Sequence, residues 1–348
     1  MSDIRYDLIH DEYVIIAPER LRRPDCFSID ADSRKFGRDD RGKCPFCPGN
    51  EKMTTKEIFS IRDSGEPDTP GWRTRVVPNL YKAVQIETPW RSEDAGLYEK
   101  WAGFGAHEVI IDTPEHKERM DGWSLQEYGD WLRTLRYRVM DLRKDIRLVH
   151  MSIFKNHGHY GAATQSHPHT QLIALPVVPK MKRESLRHAL YFYREHGRSR
   201  YATVIGKELH ERERVVCESG RFVAICPFAS AFPFEVAIYS LEERKISLSE
   251  FDDGDIEELS GILSEVFEAL YLQLGNFDFN ILFDIPPLQK NYATEEFFDD
   301  LPDIWRFSIR IVPRIYRMGG FELGSGMMIN PVAPEEAARL LRKGTKSR

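Results

Sequence analysis

The sequence predicts an α+β fold made of two fused repeats. Three observations carry this reading: an order of strand, strand, helix, strand, strand that occurs twice, a proline closing the same strands in both copies, and one long apolar-striped helix in each. The first copy contains Val76-Val77-Pro78, His107-Glu108-Val109-Ile110-Ile111-Asp112, a helix over 124–145, Ser152-Ile153-Phe154-Lys155-Asn156 and Leu172-Ile173-Ala174-Leu175-Pro176. The second contains Phe222-Val223-Ala224-Ile225-Cys226-Pro227, Phe234-Glu235-Val236-Ala237-Ile238-Tyr239-Ser240, a helix over 249–274, Phe279-Asn280-Ile281-Leu282-Phe283-Asp284 and Phe307-Ser308-Ile309-Arg310-Ile311-Val312-Pro313. At about 140 residues per copy the unit is too large for a solenoid and the right size for a domain. The two domains are expected over 1–196 and 197–348, with the polar stretch around 196–214 as their junction.

Taken in order, residues 4–24 turn at Asp11-Glu12 into a β-branched strand that Pro18 ends. Arg20, Arg22 and Arg23 follow within four residues, either as charge for an anion or as a solvated basic turn. Residues 28–43 are polar and read as a loop. The first helix opens with the capping-box pattern Ser124-Leu125-Gln126-Glu127 and continues with Tyr128, Trp131, Leu132, Leu135, Val139 and Leu142 at helical spacing. The second carries Ile256, Leu259, Ile262, Leu263, Val266, Phe267 and Leu270 on one stripe.

Composition narrows the function. Hydrophobic residues at 41% and charged residues at 30% describe an ordinary globular chain of 348 residues, with ample core. A formal charge of −6 argues against a general nucleic-acid or membrane-surface binder, so an anionic substrate needs a local cluster of donors. Met1-Ser2-Asp3-Ile4-Arg5 lacks a signal pattern, and the longest apolar stretch, Phe222 to Phe234, is broken by Pro227 and Pro233. Five cysteines, an odd count, form no disulfide framework and suit a reducing, cytoplasmic setting.

Chemistry concentrates in two stretches. Cys44-Pro45-Phe46-Cys47-Pro48-Gly49-Asn50 is half of a zinc knuckle, and Pro48-Gly49 disfavours the helix that a redox pair normally opens. Two further ligands are needed, and the candidates are His116 and one histidine of His167-Pro168-His169. In a strand, His167, His169, Gln171 and Ile173 would project to one side, about 6.6 Å apart. A row of imidazole, imidazole and amide suits a reaction surface better than a core, the bland alternative being an edge strand with solvated histidines. If His167 holds the metal, His169 is free, and a neutral imidazole is a good nucleophile near pH 7. Gln171 could hydrogen-bond a phosphoryl oxygen, with the amides of 161–166 and the Thr164 hydroxyl lining an anion pocket. His150, His157 and His159 are read as non-ligands. The second copy lacks the paired histidines.

The motif His167-Pro168-His169-Thr170-Gln171 resembles the active-site motif of galactose-1-phosphate uridylyltransferases, a two-repeat branch of the histidine-triad superfamily. The resemblance covers nearly the whole chain. It extends over Val14-Ile15-Ile16-Ala17-Pro18-Glu19-Arg20, the Cys44–Gly49 stretch, Val77-Pro78-Asn79, His107-Glu108-Val109, Thr113-Pro114-Glu115-His116, Phe154-Lys155-Asn156 and Gly320-Phe321-Glu322-Leu323-Gly324. It implies two histidine-triad-like repeats, each an antiparallel half-barrel sheet with a packed helix. It implies that His169 forms a covalent nucleotidyl intermediate supported by Gln171, and that Cys44, Cys47, His116 and His167 bind one structural zinc. Asn79, Asn156 and Thr164 would contact nucleotide or phosphate, Arg20 and Arg23 would reach a phosphate, and Phe321, Leu323 and Gly324 would border the site of a homodimer.

The implied reaction is transfer of UMP from a UDP-hexose to a hexose 1-phosphate. The run from His169 to Pro176 is also similar to the ADP-glucose phosphorylase branch, which moves AMP with phosphate as acceptor. Two other readings remain at this point: a histidine-triad hydrolase, disfavoured by Gln171 where such hydrolases carry a third histidine, and a zinc-stabilised nucleotide-binding module without catalysis. Many members of the family hold a second metal in the C-terminal repeat. Here the corresponding strand reads Arg306-Phe307-Ser308, so that site is expected to be absent, with Glu184 as a vestige and Arg306 and Arg310 supplying charge.

Overall fold

The computed structural model describes residues 2–22, 42–290 and 295–345. Over these the strands are β1 (Asp3–Asp7), β2 (Glu12–Ile16), β3 (Phe59–Arg62), β4 (Trp72–Pro78), β5 (Ser92–Ala95), β6 (Tyr98–Trp101), β7 (Ala106–Ile111), β8 (His150–His157), β9 (His169–Leu175), β10 (Val215–Glu218), β11 (Phe222–Ile225), β12 (Val236–Ser240), β13 (Phe279–Asp284), β14 (Ser308–Pro313) and β15 (Met328–Asn330). The helices are α1 (Leu125–Leu142), α2 (Lys180–His196), α3 (Arg200–Glu211), α4 (Asp253–Leu274), α5 (Leu301–Ile304), α6 (Gly320–Ser325) and α7 (Pro334–Thr345). Arg23 and most of the 28–43 stretch lie outside the described residues.

Ten strands make one sheet in the order β10-β11-β12-β14-β13-β8-β9-β7-β4-β3, each neighbour antiparallel. The two repeats meet at its centre, where β8 pairs with β13 in the register Asn156–Asn280. Side chains alternate across the sheet, so one face takes Ile110, Leu172, Ile153, Ile281, Ile309 and Ile238. That face is buried under α1 and α4 in one continuous core. Both helices begin in capping boxes, Ser124 with Glu127 and Asp252 with Asp255, which satisfy amides the first turn leaves open. Two polar contacts tie α1 to the sheet. Trp131 Nε1 donates to Thr170 Oγ1 at 2.9 Å, and Arg138 grips Glu108 through two bonds of 2.7 Å.

The opposite face is treated differently in the two halves. In the second repeat it is covered: Leu186, Ala189 and Leu190 of α2 with Tyr201 and Ile205 of α3 bury Val223, Ile225, Ala237 and Tyr239. The expected polar junction around 196–214 is therefore mostly helix. Its few apolar side chains lie on one stripe among many charges, and they find their partner only once the sheet is formed. In the first repeat the same face around β7 and β9 borders a cavity walled by loop residues such as Phe46, Tyr81 and Thr164. Strand β9 begins at His169, and its register with β7 reaches one residue further back, where the Asp112 amide donates to the Pro168 carbonyl at 3.1 Å; the Phe46 ring lies beside both His167 and His169, with centroids 6.2 and 5.4 Å away.

His150, at the start of β8, is buried with Nε2 beside Ser152 Oγ at 3.1 Å and Nδ1 without a partner. Burial pushes its pKa down to about 3, with Lys182 adding repulsion. The folded protein therefore excludes a proton that the unfolded chain binds below about 6.5. Stability is full above that pH and declines as pH falls toward 3. His150→Gln should remove up to about 1.4 kcal/mol per pH unit from the slope of unfolding free energy between pH 6 and 4, measured by urea titration at each pH. Arg138→Ala, which strands the buried Glu108 carboxylate, should cost about 3–5 kcal/mol in the same assay at pH 7.

Candidate active site

Cys44 and Cys47 sit in a tight turn: the Cys47 amide donates to the Cys44 carbonyl at 3.3 Å, and Asn50 Nδ2 donates to the same oxygen at 2.8 Å. Gly49 follows at φ +95°, a conformation in which a side chain would be strained. The turn delivers both thiols to His116 and His167. Cys47 Sγ stands 3.4 Å from His116 Nδ1 and 3.5 Å from His167 Nδ1, and one ligand atom from each of the four residues lies within 4.8 Å of the others. A tetrahedral ion bound at about 2.3 Å to sulfur and about 2.0–2.1 Å to nitrogen needs sulfur and nitrogen about 3.6 Å apart.

The far nitrogens are already engaged. His167 Nε2 donates to the Thr113 carbonyl at 2.9 Å, and His116 Nε2 meets Ser166 Oγ at 2.8 Å. For His167 this leaves the Nδ1 lone pair facing the thiols, as a metal ligand requires. Burial pushes the His167 pKa down to about 3, so the ring is neutral and competent to bind. The four residues fit a metal ion. A second group, Asp7, His10 and Glu12, is also compact. There His10 Nδ1 already pairs with Asp7 at 2.7 Å and the Arg310 guanidinium stands 3.3 Å from its Nε2, a setting unfavourable to another cation.

One residue beyond Pro168, His169 shares the Phe46 ring with His167, at centroid distances of 5.4 and 6.2 Å. Its Nδ1 donates to the His167 carbonyl at 2.9 Å, which leaves Nε2 with a free lone pair. Burial pushes its pKa down to about 4, with Lys155 contributing repulsion, and the ring is neutral near pH 7. His169 lines a cavity of about 430 Å³ on that face, together with Phe46, Asn79, Thr164 and Gln171. The segment before β9 closes its rim. Gly161 is required there, because a Cβ would stand 2.1 Å from the His157 carbonyl oxygen.

His107 completes the row, and sequence reasoning did not single it out. The Ala83 amide donates to its Nδ1 at 3.1 Å, so the ring proton sits on Nε2, which donates to Gln171 Oε1 at 3.1 Å. Asn79 Nδ2 lies 3.0 Å from the same nitrogen. Held by its oxygen, Gln171 offers its amide NH₂ to the cavity. The available signal was strand alternation: β7 pairs Val109 with Gln171, which puts His107 on the face of His169.

Of the other expected site residues, Asn79 and Thr164 line the cavity. Asn156 does not, since its Oδ1 accepts from Asn280 Nδ2 at 2.9 Å on the adjoining strand. Arg20 Nη2 donates to Tyr316 Oη at 3.4 Å, away from the cavity of its own chain. Phe321, Leu323 and Gly324 lie exposed on α6, also outside that cavity. Glu184 is exposed near Lys180. Arg306 is bound to the Ser240 and Leu241 carbonyls, and Arg310 grips Glu235 at 2.6 Å, so both serve the interior of the second repeat.

Residues 1–179 match the model of the galactose-1-phosphate uridyl transferase N-terminal domain. The chain is 31% identical to ADP-glucose phosphorylase of Arabidopsis thaliana, covering 98% of this chain and 92% of that one. It is 27% identical to galactose-1-phosphate uridylyltransferase of Thermotoga maritima, covering 99% and 98%. Among solved structures, an ADP-glucose phosphorylase from Arabidopsis thaliana with bound ADP-glucose superposes with a TM-score of 0.80 at 28% identity over 99% of both chains. With the neutral histidine, its glutamine and the Cys₂His₂ group in place, the chain belongs to the galactose-1-phosphate uridyl transferase family.

Proposed function

We propose that this chain is a nucleotidylyltransferase that carries NMP from an NDP-hexose on His169. The observation that supports this most directly is the neutral, buried His169, with its Nε2 lone pair free beside the Gln171 amide in a cavity of about 430 Å³. In the first half-reaction Nε2 attacks the α-phosphorus, the P–N bond forms, and the bond to the sugar phosphate breaks with its electron pair leaving on the sugar 1-phosphate. Gln171 donates to a non-bridging oxygen, and Thr164 offers a second donor. In the second half-reaction a phosphate oxygen of the acceptor attacks the same phosphorus and the P–N pair returns to Nε2. Nothing titrates at position 171, so the site lacks the third imidazole of the hydrolases.

The reaction suited to the family's name moves UMP from a UDP-hexose to a hexose 1-phosphate, in galactose metabolism. A second reading, AMP from an ADP-sugar with phosphate as acceptor, is favoured by the higher identity to ADP-glucose phosphorylase and by the superposition on its ADP-glucose complex. Zinc is the ion we assign to Cys44, Cys47, His116 and His167, where two thiolates and two imidazoles suit it. When bound it supplies no step of the transfer. It pins the 44–47 turn to the peptide before β9. A reducing cytoplasmic setting keeps the two thiols available as ligands. We assign the catalytic repeat to residues 1–196 and the degenerate one to 197–348. A homodimer accounts for Arg20, Phe321, Leu323 and Gly324, which would then serve the neighbouring cavity.

The test is incubation with UDP-glucose and, separately, ADP-glucose, each labelled at the α-phosphorus. Acid-labile, base-stable label on the protein, absent in His169→Ala, is expected with one nucleotide in preference to the other. A protein that takes label from neither sinks the proposal. Metal analysis after exhaustive dialysis should give about one zinc per chain, and Cys47→Ser should lower both the zinc content and the Tm. Two zinc ions per chain would contradict the assignment.

A further inference from the structure

Behind the nucleophile, on the face of the sheet turned toward the helices, lies an ion pair that the reaction above does not use. Lys155 Nζ meets Asp112 Oδ2 at 2.6 Å, and both side chains are almost wholly buried, at 1% and 0% exposure. The ammonium also donates to the His169 carbonyl at 3.3 Å and stands 5.4 Å from the Trp123 ring centroid. Burial drives Lys155 down and Asp112 up, each opposed by its partner. Such pairs are often no more stabilising than apolar residues of the same volume, so core stability alone is a weak account of this one.

The backbone at this point gives the pair a task. The Asp112 amide donates to the Pro168 carbonyl at 3.1 Å, which makes 112–168 a bonded pair of β7 with the peptide before β9. Bonded and non-bonded positions alternate in antiparallel strands, so the His169 carbonyl faces β8 instead. The ladder between β8 and β9, however, ends at Phe154–Gln171. The following pair, Asn156–His169, is not made, and the Lys155 ammonium takes the carbonyl that the ladder leaves.

The second repeat is an internal control. Aligned on the helix N-caps, Ser124 and Asp252, the repeats set Lys155 against Phe283 and Asp112 against Ser240, and the strand registers set His169 against Ser308. The alignment is supported by an equivalent bond, the Ser240 amide to the Phe307 carbonyl at 3.2 Å. In this copy the ladder runs on through Asp284–Ser308, the pair that the first repeat leaves open. The same fold therefore closes without an ion pair where there is no nucleophile, and carries one only where the strand opens at His169.

We propose that Lys155, held by Asp112, is a positioning residue for His169: it fixes the carbonyl and backbone of the nucleophile at an opened ladder, and so aims the imidazole at the α-phosphorus. This rests on the reading of His169 as the nucleotidyl carrier. The test is the double variant Lys155→Met/Asp112→Leu, which removes both charges at similar volume. At a Tm near that of the parent protein and a half-saturating NDP-hexose concentration within about threefold, the first-turnover release of sugar 1-phosphate should fall on the order of 10- to 100-fold. A folded double variant with the parental rate overturns the proposal.

Should the double variant not fold, Lys155→Arg decides. A planar guanidinium cannot repeat the ammonium's two contacts, so the rate should fall at least about threefold at unchanged KM, and an unchanged rate overturns the proposal. Nitrogen NMR of the His169 ring separates this result from failure of the reaction itself. If neither nucleotide labels the parent protein, the nucleotidyl-carrier reading fails, yet the ring should still be fixed as the Nδ1-protonated tautomer and become mixed in the variant that folds. A tautomer unchanged in that variant overturns the positioning role.

Discussion

Everything in this protein depends on the strict alternation of side chains across one continuous antiparallel sheet. Ten strands share two faces, and α1 and α4 claim one of them along its length. What remains is a single opposite face, which must be either covered or used. In the second repeat α2 and α3 cover it with Leu186, Leu190, Tyr201 and Ile205. In the first it borders a cavity, and the side chains that alternation sends there include His107, His169 and Gln171.

The two repeats show how one scaffold is turned to two ends by a few polar replacements. Where the first has His169, Gln171 and His107, the alignment places Ser308, Arg310 and Glu235 in the second. The Arg310–Glu235 pair fills the space and is itself packed beneath other elements, with His10 against the guanidinium. A histidine that is to react needs the reverse: a lone pair facing a cavity and its other nitrogen tied down. His169 meets both conditions through one backbone carbonyl, that of His167. The imidazole of His167 is in turn fixed between Thr113 and the thiols, so the candidate metal site and the candidate nucleophile are separated by Pro168 alone.

Much of this was legible in the sequence because it depends on short-range pattern. The duplicated strand–helix order, the Ser124–Glu127 cap and the paired cysteines and histidines are local signals, and each names its chemistry. What was not legible depends on register. Nothing in His107, Lys155 or Asp112 marks them in isolation; they acquire partners only when β7, β8 and β9 are laid side by side. The start of β9 was not legible either: Pro168 accepts a bond from the Asp112 amide but has no amide to return one, so the strand is counted only from His169. The bond between Asn156 and Asn280, across the two repeats, likewise depends on the register of β8 with β13.

The first and last parts of the chain are clasped together. Strand β2 runs parallel to β15, Arg5 grips Glu335 at 2.7 Å, and the β1–β2 hairpin packs Val14 and Ile16 against Ala229 and Ala231 of the second repeat. Some three hundred residues separate the hairpin from its partner strand, so on a ribosome the hairpin is made long before it. The edge of β2 that β15 takes must therefore wait open while those residues are added. Closure of the clasp is a long-range event of high contact order, expected to be slow. During that interval the exposed edge of β2 is a place for a chaperone, or for a neighbouring nascent chain, to bind.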